Sequence, residues 1–252
     1  MGVTRKSIEN TLDLLWTGLG QPKRGPRHQL TVERVVGAAM DAVEADGVEA
    51  LSMRKVAARL GVGAATLYTY VPDKSALLAL MVEEMTGQAA LPHTRPGNWR
   101  EKVEEWARED LESFRQHPWL VEIAEGDYIG PNGFAWTDSA IRVFDGTGLS
   151  AEEALAAVEA VDGLVRGHVS KVVAADRAER WTDPQGRSFA TVQESYLTTY
   201  RIEAGRFPAV ERLAEPLGPV ESFERALGWL LDGVERRIAE CGGDSGDGGD
   251  QG

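Results

Sequence analysis

The sequence predicts an all-α chain in which a small three-helix head precedes a larger helical body. Apolar residues recur at steps of three and four almost throughout, and no segment sustains the two-residue alternation of a strand. Breakers gather in a few places, at GQPKRGPRH, at Gly61–Gly63 and at LPHTRPGN, and divide the helices into groups. The 252 residues are 42% hydrophobic, which is enough to bury a substantial core.

Residues 1–28 read as an extension. Ile8, Leu12, Leu15 and Leu19 make one apolar stripe, and the basic, Gly/Pro-rich stretch after them makes an arm. The head spans 29–90. Its first helix, about Thr31–Ala45, carries Val32, Val35, Val36, Ala39, Met40 and Val43 on one face, and Gly47 stops it. Two short helices follow, at about Ser52–Leu60 and Ala64–Tyr70. Pro72 ends the second of these, and a further helix after Asp73 bears Leu77, Leu78, Met81, Val82 and Met85. The body, 91–240, holds helices near 98–116, 134–146, 150–178, 187–204 and 217–240. The Gly/Asp-rich tail 241–252 is too polar to bury anything and is expected to be disordered.

Composition narrows the function classes. One cysteine, Cys241, excludes an internal disulfide, and the four histidines are not spaced as metal ligands. No phosphate loop, nucleophile elbow or other catalytic spacing is present, so neither catalysis nor a cofactor is expected. The N-terminus has no apolar leader and no run approaches the ~18 apolar residues of a membrane span, so a soluble, cytoplasmic protein is expected. The net charge is −13, yet residues 22–80 carry eight Lys/Arg against six Asp/Glu. A weakly basic head on an acidic body suits a polyanionic partner at the head. An ordinary acidic protein is compatible with the same counts.

The informative stretch is LSMRKVAARLGVGAATLYTYVPDKSALL, residues 51–78. Ser52 is placed to cap a helix, Gly61 to reverse its end, and Val62 to plug the turn. The next helix is short and rich in small residues (Gly63, Ala64, Ala65, Thr66), which lets its backbone approach another surface closely. Such a helix, propped on a partner across a Gly turn, has the geometry that enters a major groove. Any three-helix bundle has short helices and a Gly turn, so the geometry alone is permissive.

In these residues the chain resembles the TetR family of transcriptional repressors. The match runs from the helix ending at Asp46-Gly47 through Leu51-Ser52-Met53-Arg54, Val56-Ala57, Leu60-Gly61-Val62, Thr66-Leu67-Tyr68, Tyr70 and Lys74 to Leu77-Leu78. FERALGWLLDGVERRI looks like the last helix of the tetracycline-repressor subgroup. The resemblance implies a homodimer that binds a palindromic double-stranded DNA operator and is released by a small-molecule effector. It puts Ser52, Arg54 and Lys74 against phosphates, Thr66, Tyr68 and Tyr70 toward the groove, and Arg27, with Lys23 and Arg24, in a DNA-contacting arm. Gly63 and Ala64 depart from the larger polar residues common there, so few direct base contacts are expected. Trp106, Phe114, Trp136 and His168 are candidate effector contacts; core packing is the competing reading for each. The dimer is expected through Val158, Val161 and Val165 with Leu227, Leu230, Leu231 and Val234, holding recognition helices ~34–36 Å apart. A ligand-independent DNA-binding or scaffold protein on the same fold is the alternative.

Overall fold

A computed structural model describes residues 5–18, 30–123, 130–199, 207–212 and 219–243. Its helices are α1 (Arg5–Thr17), α2 (Val32–Asp46), α3 (Met53–Arg59), α4 (Ala64–Tyr68), α5 (Lys74–Gln88) and α6 (Trp99–Gln116). They continue with α7 (Trp119–Ile123), α8 (Pro131–Arg142), α9 (Ala151–Arg180), α10 (Phe189–Thr199), α11 (Pro208–Glu211) and α12 (Pro219–Gly243). Among the described residues the single β pairing is the isolated Thr182–Ser188 bridge. The chain forms two compact units, Met1–Val158 and Glu159–Gly252. The arm with Lys23, Arg24 and Arg27, and the tail from residue 244, lie outside the described residues.

The first unit is built around α2 and α5. Thr31 caps α2 by accepting the Arg34 N–H at 3.3 Å, and Gly47, at φ 79°, closes it onto Val43 O. Val35, Val36, Ala39, Ala42 and Val43 are buried, and they meet Leu77, Leu80 and Met81 of α5 with Leu51, Met53, Val56, Leu67 and Val71. Leu78, Val82 and Met85, expected on the core face of α5, are only half-buried, and Ala76, Leu80 and Glu83 lie deeper. The reason is that α5 packs against α1, α2 and α8 at once, so no single stripe describes it.

The head's core is completed from outside the expected bundle, by Leu15 of α1 and by Trp119 and Leu120 of α7. The expected stripe of α1 is rotated. Thr11 and Leu15 are buried, whereas Ile8 and Leu12 are exposed; Leu19 lies outside the described residues. Thr11 tolerates burial because its hydroxyl donates to Ser7 O at 2.9 Å.

Beyond α5, a 3-10 turn (Pro92–Thr94) leads to α6. Asn98 and Glu101 cap α6 reciprocally, Asn98 Oδ1 accepting the Glu101 N–H and Glu101 Oε2 accepting the Asn98 N–H at 2.8 Å. Arg95 pins the turn to α6. Its buried guanidinium donates to Glu109 Oε1 at 2.6 Å and pairs with Glu105 at 3.3 Å. The hydrogen bond from Arg95 holds the Glu109 carboxyl below its ordinary range and raises Arg95 in turn.

In the second unit Val161, Val165 and Val169 of α9 are buried, as are Phe223, Leu227 and Leu231 of α12. The His168 ring lies 5.4 Å from that of Phe223 and so joins the two helices. The residues expected at a dimer face are described here within one chain. Val158, Val161, Val165, Leu227 and Leu231 are already enclosed within one chain, and Leu230 and Val234 are half-buried. Apolar periodicity located the face each helix buries in its own protomer, because that face excludes the most water.

Candidate nucleic-acid interface

The residues of the matched stretch fold as two short helices across a tight turn. Ser52 Oγ accepts the Lys55 N–H at 3.3 Å and starts α3. At its end Val62 N–H donates to Ala57 O at 3.0 Å and Gly61 N–H to Ala58 O at 3.1 Å, the paired bonds of a Schellman stop. Gly61 sits at φ 69°, a backbone shape that costs glycine little and other residues more. Val62 packs on the core and fixes the angle at which the chain leaves.

α4 has a sealed side and an open side. Leu67 and, just beyond the helix, Val71 are fully buried; Thr66, Tyr68 and Thr69 are exposed, with Tyr68 at 50%. Gly63 caps α4 without a side-chain bond, so the helix owes its stability to the Leu67 anchor. Tyr70 differs from Tyr68 in packing partly against the core. Thr69 belongs to the open side but was not singled out from sequence. Its hydroxyl donates to Thr66 O at 2.7 Å, a bond that only the folded helix creates.

Cations border this face. Arg54 and Arg59 are exposed, while Lys55 is paired with Asp46 at 3.3 Å. Asp73 caps α5 by accepting the Ala76 N–H at 2.8 Å. Lys74, next to it, donates one of its three ammonium protons to Val48 O at 3.2 Å, which ties the start of α5 to the loop before α3. α4 thus exposes hydroxyls, and α3, packed against it, exposes two guanidinium groups, a combination suited to a polyanion. Arg27, the remaining sequence-derived candidate here, lies outside the described residues.

Of the four candidate effector contacts, Trp106, Phe114 and Trp136 lie in the first unit and His168 in the second. Trp106 of α6, 1% exposed, meets Trp136 of α8 edge-on at 5.7 Å. Phe114 packs instead on the head's core. The Trp106 indole N–H is buried with no acceptor among the described residues. Among those residues no group of three or more His, Cys, Asp or Glu is arranged to hold a metal ion.

Comparison with known proteins places both halves of the chain. Residues 35–81 match the family model of bacterial regulatory proteins, tetR family, and residues 91–238 match the tetracyclin repressor-like C-terminal domain. The chain is 36% identical over 242 residues to the HTH-type transcriptional repressor DrrR1 of Streptomyces coeruleorubidus, covering 94% of this chain and 89% of that one. It is 27% identical over 212 residues to the class A tetracycline repressor from transposon 1721 of Escherichia coli, covering 83% and 92%. Among solved structures, ActR from Streptomyces coelicolor in complex with actinorhodin aligns with a TM-score of 0.67 at 28% identity, over 84% of this chain and 96% of that one.

Proposed function

The chain belongs to the TetR family of bacterial regulatory proteins, and on that premise we propose that it acts as a ligand-released homodimer on a two-fold operator. It is a transcriptional repressor with a DNA-binding helix-turn-helix, not an enzyme. On this reading residues 29–90 are the DNA-binding domain, 91–240 the effector and dimerisation domain, and 1–28 an extension whose Arg27 reaches the duplex. The observation that carries it is the two-sidedness of α4. Leu67 locks the helix to the head while Thr66, Tyr68 and Thr69 stand in solvent. Ser52, Arg54 and Lys74 then meet phosphates, and Thr66 and Tyr68 reach base edges, with Tyr70 at their margin.

For the effector, the supporting observation is the Trp106–Trp136 pair. A buried indole N–H costs ~1–3 kcal/mol when left unpaired, and that of Trp106 has no acceptor among the described residues, so an oxygen of a bound small molecule would offset the cost by accepting from it. The ligand named for ActR, actinorhodin, makes a small organic effector the natural expectation. Phe114, in the same unit, remains a candidate contact on this reading. To release DNA the ligand must bind one head spacing better than the other, with a coupling of ~1–3 kcal/mol.

For the homodimer, the outward side of α9 and α12 replaces the enclosed valines and leucines. Ala160, Gly163, Gly167 and Ser170 form an exposed stripe, and a Cβ at either glycine would meet nothing within 4 Å. Each glycine inside a helix costs ~1 kcal/mol relative to alanine, a cost offset when another backbone approaches closely. Trp229 of α12, 68% exposed, supplies the apolar area.

The test is duplex selection from a random pool, followed by titration across salt. Thr66→Ala should change base preference more than overall affinity. Lys74→Gln, which keeps a donor for Val48 O, should lower the salt slope by about one unit. Salt-insensitive binding by the wild-type chain would refute the phosphate-facing reading.

A further inference from the structure

The N-terminal helix α1 runs beside α5 and engages the neighbours of both its ends. At its start Ser7 Oγ donates to Asp73 Oδ2 at 2.8 Å, and the other oxygen of Asp73 caps α5. In its middle Thr11 and Leu15 are buried. At its end the Trp16 ring lies 5.7 Å from Phe134, in the first turn of α8.

α5 grips that same turn of α8. The buried Glu83 carboxylate accepts the Asn132 N–H at 2.5 Å, and Asn132 Nδ2 donates to Glu83 O at 3.1 Å. The approach is close. A Cβ on Gly87 would collide with the Asn132 amide, and one on Gly130 would lie 2.5 Å from the Glu83 carboxyl. The start of α8 is therefore held from two sides. One holder is the helix whose opposite end carries Lys74; the other is α1, fastened to that same end through Asp73. Trp16 and Phe134 are 53% and 56% exposed, so their contact closes no core. What it does is join α1 to α8.

We propose that α1 is a splint that fixes the angle between α5 and α8, with Trp16 and Phe134 as positioning residues. By stiffening each head it sets the half-site spacing the dimer accepts. A stiff link makes a mis-spaced operator pay strain, and a loose link spreads that strain over easy motions. The proposal rests on the reading of the α4–α5 end as the DNA face.

The experiment uses the full chain as wild type, Trp16→Ala, Phe134→Ala, the double variant and Trp16→Phe. The probes are a duplex recovered by the wild type from a random pool and the same duplex with one base pair added at its dyad. Each alanine variant should lower the preference for correct spacing roughly 2- to 12-fold, the equilibrium worth of one aromatic pair. The double variant should be no worse than either single one, and Trp16→Phe should restore the preference. Discrimination against a base change inside a half-site should stay as in the wild type. Amide hydrogen exchange at residues 132–135 should quicken in Trp16→Ala without DNA. An equal loss of affinity on every duplex, or unchanged spacing preference with unchanged exchange, overturns the splint. If the wild type shows no salt-dependent duplex binding, the DNA reading fails, and the exchange measurement still decides whether α1 braces α8.

Discussion

Leu67 lies between Thr66 and Tyr68, and one step along the helix in either direction turns a sealed side chain into an exposed one. The apolar anchor holds the polar neighbours in place, so groove specificity and head stability meet in three consecutive residues. Leu67→Ala should cost ~2–5 kcal/mol in urea unfolding, whereas Thr66→Ala should cost under ~0.5 kcal/mol; comparable losses would contradict the two-sidedness. The Arg95–Glu109 pair predicts a pH effect. Glu109 is lowered in the folded chain, so its contribution is complete above the ordinary value of 4.5 and disappears as pH falls through the lower folded value. Half of the Glu109 side chain is exposed, so solvent screening keeps this below ~1 kcal/mol. Glu109→Gln should make the melting temperature less pH-dependent below 4.5, and an identical acid slope would show that the pair does not respond to protonation.

Among the elements, α3 and α4 are too short to persist alone, and their ends do much of the work. The Schellman stop at Gly61 sets how α4 leaves α3. A Cβ there meets nothing within 4 Å, so the penalty of Gly61→Ala is backbone strain alone, ~1–2 kcal/mol. Gly61→Asn should recover part of that in chemical denaturation, since asparagine tolerates the left-handed region; equal losses would point to packing instead. The limits of the helices were legible for the same local reason. Thr31, Ser52 and Asp73 each accept a backbone N–H in the first turn that follows, and Gly47 and Gly61 take positive φ at the stops. The faces were less legible. Thr11 is buried in α1 and Glu83 in α5, because a hydroxyl can bond its own helix and a carboxylate can cap another.

At the scale of the molecule, a net charge of −13 coexists with a weakly basic head, so association with DNA should depend on orientation and weaken steeply with salt. The proposed dimer turns on the open stripe of α9. Gly167→Arg should give monomers in sedimentation while the helical content stays constant, since that position is open in one chain. An unchanged dimer would move the interface elsewhere. By itself the sequence determined the helical class, the order and limits of the head helices, the turn chemistry and the family resemblance. All of these are written in residues a few positions apart, where capping, glycine geometry and helical period act. Only the tertiary structure decided which apolar stripes close on the protomer, that α1 and α7 complete the head's core, that Trp106 meets Trp136 and that Phe114 packs on the head's core. Those outcomes depend on what each face meets across the fold, and helices packed on several sides carry no periodicity that names the neighbour.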